Sequence, residues 1–492
     1  MDRRRTSTYP RRVRTPKSGS LVALAVFALA CGAPQIGPRE GAVGAPPDAG
    51  SRTAPPIVGK PTIDAGSGEK QAVPAADPGW IEDDYPKALA LARQRKVPLF
   101  VDASAVWCHT CKAMRTYVLD DKALPRGSFV WLSFDVEKEE NAAVTAKLPA
   151  KVLPTFFVLD PADESVHARW EGASTVTQMR AVLRDAERSI AMAHASGLAA
   201  NDPFGMLLAG HRAALANDPA RAATELDRAL RAAPPDWDHA PEALLALAEA
   251  KRKTGGCLEL AADVLPTTKL GRTSVLTDFA SVALECIEKE PTHARAAEVR
   301  GIVAKRVAEL AADDKAPLSP DDRADAWKVV WDAREASGDH AGALDAAKAR
   351  LAVIEATVAK TPDPQVTTTF DGARMETLVF LGRRADAATF LEAQAAALPD
   401  DYNPPHRLAR VLFDMGRPKD ALAAIDRAIA KGWGARKGLM LALKADILLA
   451  LNRPADAKAT VRQQLELYRS LPEGQKKPSF EKAAEERLKK MK

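Results

Sequence analysis

The sequence predicts two folded units of different class, an α/β domain followed by an all-α helical solenoid. Three observations carry this. At 492 residues the chain is longer than one compact core organises. From Trp80 to His194, short apolar runs alternate with amphipathic stretches. Beyond about Asn201 the strand pattern stops and an Ala-rich pattern with a period near 34 residues takes over. Aromatics at 5% within an apolar fraction of 46% suit closely packed helices better than a β-rich fold.

The N-terminus reads as an address. Residues 1–30 hold seven Lys/Arg against one acid, Asp2; the rest of the chain carries 63 basic and 64 acidic residues. The overall charge of +5 therefore belongs to the leader and gives no reason to expect a nucleic-acid partner. The apolar run 21–30 is too short to span a membrane as a mature helix and suits a secretory signal peptide. Ala28-Leu29-Ala30 before Cys31-Gly32 resembles the lipobox of bacterial lipoproteins, in which the cysteine becomes the lipidated N-terminus. Ala28 stands where that family usually has Leu, so plain cleavage that leaves Cys31 free is the alternative. Gly32 rather than Asp suits transfer to an outer membrane. The expectation is an exported lipoprotein on the periplasmic side of a bacterial envelope. Residues 31–79 follow as a tether: from Gly32 to Gly79 nine Pro and nine Gly leave too little apolar surface to fold. Its typical reach is about 40 Å.

Residues 80–197 form the predicted α/β domain. Strands are expected at 97–103, 129–135, 155–159 and 167–170, and helices at 83–95, 108–124, 141–148 and 177–194. Residues 201–475 form the predicted solenoid. Gly382-Arg-Arg-Ala-Asp-Ala387, Gly416-Arg-Pro-Lys-Asp-Ala421 and Asn452-Arg-Pro-Ala-Asp-Ala457 recur at spacings of 34 and 36, each opening an Ala-rich helix after an apolar one. An earlier copy carries Gly210, Ala222, Leu226 and Ala229 at matching offsets. Small residues there let paired helices approach closely, as in tetratricopeptide (TPR) repeats. Residues 241–360 are helical but match the pattern poorly, and 476–492 form a charged C-terminal helix or tail.

The chemistry concentrates in Val97-Pro-Leu-Phe-Val-Asp102-Ala-Ser-Ala-Val-Trp107-Cys108-His-Thr-Cys111-Lys112. A thiolate, not a thiol, attacks a disulfide, and a cysteine that opens a helix is acidified by the helix amides and dipole. Cys108 is the expected nucleophile and Cys111, one turn further in, the resolving thiol. This segment resembles the active site of the thioredoxin superfamily, above all the C-terminal domain of DsbD-type thiol:disulfide interchange proteins. The resemblance covers residues 80–195, about a quarter of the chain, and Val152-Leu153-Pro154-Thr155 matches the family's cis-proline segment. It implies a thioredoxin fold and a redox-active disulfide, with no other cofactor and no metal. It also implies a buried Asp102 that relays protons to the resolving thiol, a cis Pro154, a Leu153 backbone that pairs with a bound peptide, and an apolar rim at Trp107. His109, when protonated, would stabilise the thiolate. Trp131 departs from the pattern, standing where thioredoxin has a lysine beside the buried carboxylate.

Plainer alternatives accompany each residue. Cys108 and Cys111 could form a structural disulfide, although no second Cys pair or His cluster nearby completes a zinc site, and Lys112 replaces the His of a c-type haem motif. Asp102 could be an exposed strand-end carboxylate, His109 a solvated histidine, and Trp107 and Trp131 simple core. Cys257 and Cys286, 29 residues apart, are either a structural disulfide between neighbouring helices or two unrelated buried thiols. The function expected is a membrane-tethered thiol–disulfide oxidoreductase, fed by a membrane electron donor in the reductase direction, acting on a protein client docked by the repeats. The alternative is an envelope scaffold whose repeats bind a protein partner and whose thioredoxin domain is redox-auxiliary or inactive.

Overall fold

The computed structural model describes residues 79–195 and 201–491; the predicted leader, Cys31 and the tether through residue 78 lie outside the described residues. Among the described residues no helix is long and apolar enough to cross a membrane.

The first unit is built on five strands, β1 (Trp80–Glu82), β2 (Leu99–Ser104), β3 (Val130–Asp135), β4 (Thr155–Leu159) and β5 (Val166–Glu171), in the order β1-β3-β2-β4-β5. β1, β3 and β2 run parallel, while β4 and β5 are antiparallel to their neighbours. Helices α1 (Tyr85–Arg95), α2 (His109–Met114), α3 (Ala142–Lys147) and α4 (Val176–Ala195) cover both faces. Leu99, Val101 and Leu132 pack on Ala88, Leu89 and Val144 of α1 and α3. Phe100, Trp131 and Phe156 pack on Met114, Leu183 and Ile190 of α2 and α4. Because both faces are covered, β2 and β3 read as continuous apolar runs rather than alternating ones. The sequence reading missed β1, whose three residues are too few to show a period. The helix expected over 108–124 is shorter: after α2 the chain takes a π-helical turn, Arg115–Leu119, and then leaves the helix. Thr116, Tyr117 and Val118 in succession are weak helix formers.

The second unit is a string of helix pairs. It runs α5 (Pro203–Leu215), α6 (Pro219–Ala232), α7 (Ala240–Thr254), α8 (Cys257–Val264), α9 (Ser274–Lys289), α10 (Ala296–Ala311), α11 (Pro320–Glu335) and α12 (His340–Val358). The short α13 (Pro364–Thr367) leads into α14 (Asp371–Phe380), α15 (Arg384–Ala397), α16 (Asn403–Asp414), α17 (Pro418–Lys431), α18 (Gly434–Ala450), α19 (Pro454–Ser470) and α20 (Pro478–Lys490). The repeated Gly/Asn-Arg-x-x-Asp-Ala pattern has a direct structural meaning. Asn217, Gly338, Gly382, Gly416 and Asn452 all take left-handed backbone, φ between 58° and 79°, at the turn between paired helices. That conformation favours Gly and Asn. The arginine that follows three of these turns pairs with an aspartate three residues on: Arg383–Asp386 at 2.6 Å, Arg417–Asp420 and Arg453–Asp456 at 2.7 Å. The closing alanines, Ala387, Ala421 and Ala457, are wholly buried against the partner helix. At Gly210 a Cβ would stand 2.7 Å from Leu226 Cγ, so α5 and α6 touch closely there. Gly338 brings α11 and α12, within the stretch that matched poorly, into the same scheme.

Cys257 and Cys286 are joined, linking α8 to α9 with Cα atoms 6.3 Å apart. The C-terminal segment is a docked helix: Phe480 and Ala484 of α20 pack on Leu465 and Tyr468 of α19. The two units also share a core, since the apolar cluster that holds Phe100 and Leu183 runs on through Leu258, Phe279, Val303 and Trp331.

Candidate active site: a cysteine pair beneath the repeats

Cys108 is the N-cap of α2 with extended backbone, φ −78° and ψ 110°. Its Sγ accepts the Cys111 backbone N–H at 3.1 Å and is bonded to Cys111 Sγ. After reduction the same amide and the helix dipole favour negative charge on Cys108. The Leu153–Pro154 peptide is cis, and Leu153 packs with Ala105, Trp107 and Val136 around the two sulfurs.

Asp102 lies mid-strand on β2, 2% exposed. Its Oδ2 accepts from Ser133 Oγ at 3.1 Å, and its Oδ1 has no hydrogen-bond partner. Burial pushes its pKa up to about 7, against the opposing pull of the Ser133 hydroxyl and the Arg115 charge. A carboxylate held there exchanges a proton near neutral pH. The lysine of the family pattern has no counterpart. Trp131 is fully buried, its ring 4.3 Å from that of Phe100, and its Nε1 donates to the Arg126 carbonyl at 3.0 Å. Ser133 is the neighbour of Asp102 instead. The sequence reading missed it, although the parallel register of β2 and β3, which sets Asp102 opposite Ser133, is the signal that finds it.

The repeat domain surrounds this site. Asn403 Nδ2 donates to the Val106 carbonyl at 3.3 Å, and the Arg436 guanidinium lies 4.5 Å from the centroid of the Trp107 ring. His109 Nδ1 is 3.1 Å from Asp321 Oδ2 and 3.8 Å from Asp325 Oδ2. Lys112 Nζ donates to Thr368 Oγ1 at 2.6 Å, and burial lowers its pKa against the attraction of Asp401. Glu137 accepts the Arg436 backbone N–H at 3.2 Å; burial raises its pKa to about 7, with the Arg436 charge resisting. Gln475 Nε2 donates to the carbonyls of Val136 and Lys138 at 3.0 and 2.6 Å. Both cysteines are 4% exposed, the nucleophile no more open than the resolving thiol. Trp107, His109 and Leu153 accordingly face the repeat domain or the cysteines. None of the covering residues, Asp321, Thr368, Asn403, Arg436 or Gln475, sits in a local motif that could have revealed it.

A bonded cysteine pair at a helix start, a cis-proline beside it and a buried carboxylate, on a mixed five-stranded sheet, define a thioredoxin-like domain with a Cys-X-X-Cys disulfide. Residues 80–161 match the thioredoxin-like family model. The chain thus carries a thioredoxin-like domain followed by TPR-like helical repeats. Among solved structures it is similar to a tetratricopeptide repeat protein from Parabacteroides merdae, at 14% identity and a TM-score of 0.38, over 59% of this chain and 98% of that one. It is also similar to the TPR2AB domain of yeast Sti1 in complex with pHSP90, at 12% identity and a TM-score of 0.23, over the same shares. No curated protein matches the chain. The left-handed hairpin turns and their buried alanines mark the helices as TPR-like.

Proposed function

We propose that the protein is an exported, membrane-tethered thiol–disulfide oxidoreductase, working as a reductase on a protein client that the repeats select. The observation that carries this is the Cys111 N–H directed at Cys108 Sγ at the mouth of α2, beside cis Pro154. In the reduced state Cys108 thiolate attacks a client disulfide, forms a mixed disulfide and expels one client thiolate. Cys111, giving its proton to the Asp102 carboxylate, then attacks Cys108 Sγ, reforms the Cys108–Cys111 bond and expels the second client thiolate. Two electrons pass to the client, and a membrane dithiol donor restores them. The basic leader with its apolar run and the lipobox-like Cys31 support export and anchoring. The Cys257–Cys286 bond suits an oxidising compartment.

The burial of both sulfurs favours a second reading, an envelope scaffold whose redox pair is auxiliary. Two measurements separate the readings. Insulin reduction together with a mixed disulfide trapped by Cys111→Ser supports the enzyme; neither, with unchanged binding of a repeat partner, supports the scaffold. A reduction potential well below about −230 mV marks a reductant, and one near −120 mV an oxidant.

A further inference from the structure

The redox reading leaves one charged cluster unused. His109 is the first residue of α2, adjacent to Cys108, a place where burial and the helix dipole both disfavour a cation. Yet its Nδ1 lies 3.1 and 3.3 Å from the two carboxylate oxygens of Asp321, 212 residues further along the chain. Asp321 belongs to the first turn of α11 and is 1% exposed, so its charge needs a counter-charge on the spot. Asp325, one turn on, is shared. Its Oδ2 is 3.8 Å from His109 and its Oδ1 is 3.6 Å from Arg350 of α12, which also pairs with Glu376 of α14 at 2.6 Å. Asp322 is occupied by the capping box with Ser319. Of the two carboxylates facing the ring, Asp321 is the closer and the more deeply buried.

We propose that Asp321 is a positioning residue of the redox centre, supplied by the repeat domain: it fixes the His109 ring as a cation beside Cys108, so that ionisation of the Cys108 thiol depends on the docked repeats. This deepens the oxidoreductase reading and rests on it. Burial alone would lower the His109 pKa; the charges of Asp321 and Asp325 outweigh that, and the repulsion of Arg350, and hold it at about 9. Tyr117 also feels Asp321, and its pKa is raised by burial first and by that charge second. The imidazole side chain keeps 40% of its surface open, so solvent screens the pair. The imidazolium is carried by the residue next to Cys108 in the chain, and its positive charge favours the Cys108 thiolate.

The test uses the full-length chain. The histidine ring signals are followed by NMR against pH, and alkylation of Cys108 by iodoacetamide is followed against pH by mass spectrometry in a Cys111→Ser background. In the parent chain His109 titrates near pH 9. Asp321→Asn lowers that midpoint, with Asp325 still in place, and lowers the acid dissociation constant of Cys108 about threefold, the size of a screened charge contribution. In a His109→Gln background the same substitution leaves Cys108 unmoved, which shows that it acts through the ring. Unchanged titration of His109 in Asp321→Asn, or an equal effect on Cys108 with and without His109, overturns the proposal. So does a His109 midpoint at or below 7 in the parent chain, a measurement that needs no variant at position 321. These readouts do not need turnover. If insulin reduction is absent while both titrations shift, the enzyme reading fails and the pairing stands.

Discussion

The side-chain amide of Asn403 donates to the carbonyl of Val106, joining α16 to the strand-to-helix turn two residues ahead of Cys108. With Arg436 on Trp107 and Gln475 on Val136 and Lys138, it lays the repeats against the segments that flank the cysteine pair. A protein disulfide cannot reach a sulfur on a residue 4% exposed without movement of this cover.

The first prediction tests that cover at Gly474. There a Cβ would lie 2.6 Å from the Ala142 carbonyl oxygen and 2.8 Å from the Ala146 amide, so a side chain has no room while the turn before α20 rests on α3. Gly474→Val should pry the contact open and raise the alkylation rate of reduced Cys108 on the order of tenfold, which corresponds to about 1.4 kcal/mol of docking free energy. The rate is read by mass spectrometry after brief exposure to a bulky maleimide. An unchanged rate, with the docking shown by hydrogen exchange to be lost, would mean that the repeats do not shield the sulfur.

Asp102 yields a pH-dependent stability. Its folded-state value, about 7, lies above the ordinary value near 3.9, so its contribution is fully present below pH 4 and is lost as pH rises through 7. Asp102→Asn keeps the neutral shape at every pH. The variant should therefore gain on the parent as pH rises from 4 to 8, by up to about 4 kcal/mol on the order-of-magnitude linkage scale. Urea unfolding at the two pH values measures the gap, and a gap that narrows toward alkaline pH contradicts the burial argument. The same variant should lose the Cys111 proton acceptor, so resolution of the mixed disulfide slows while its formation does not.

The disulfide between α8 and α9 closes a loop of 29 residues. Replacing both cysteines with alanine should cost about 3–4 kcal/mol by loop-closure entropy. Both are buried, at 3% and 2% exposure, within the core shared by the two units. The loss should therefore appear in chemical denaturation of the whole described chain and not only as fraying of one helix pair. Reduction of the parent protein under denaturing conditions gives the matching control.

How much of this was legible depends on range. Strands β2 to β5 followed from apolar runs, and the Cys108 helix start from its motif, because each is a local pattern a few residues long. The repeat turns were legible for the same reason: left-handed backbone selects Gly or Asn at one position, and the following Arg and Asp answer each other within one turn. The cover over the cysteines was not legible. Asp321 reaches His109, and Asn403 reaches Val106, only after the solenoid has closed around the domain, at separations of 212 and 297 residues. Asp321 looks in sequence like an ordinary first-turn acid of α11. Ser133 as the partner of Asp102 was within reach, since it needs only the pairing of two neighbouring strands.

The repeat signature itself separates packing from surface charge. Ala421 is wholly buried where α17 closes on its neighbours, whereas Arg417 and Asp420 pair in the open, their side chains 52% and 53% exposed. Ala421→Leu forces three more heavy atoms into a contact that already fills its space, and should destabilise by about 1–3 kcal/mol. Arg417→Gln removes an exposed i,i+3 pair and should cost no more than about 0.5 kcal/mol. Urea unfolding of the two variants, side by side, decides whether the alanine or the ion pair defines the repeat. Equal losses would mean that the recurrent spacing reflects charge and not close helix approach. A tolerated Leu at 421 would mean that α16 and α17 are less tightly paired than the complete burial of Ala421 implies.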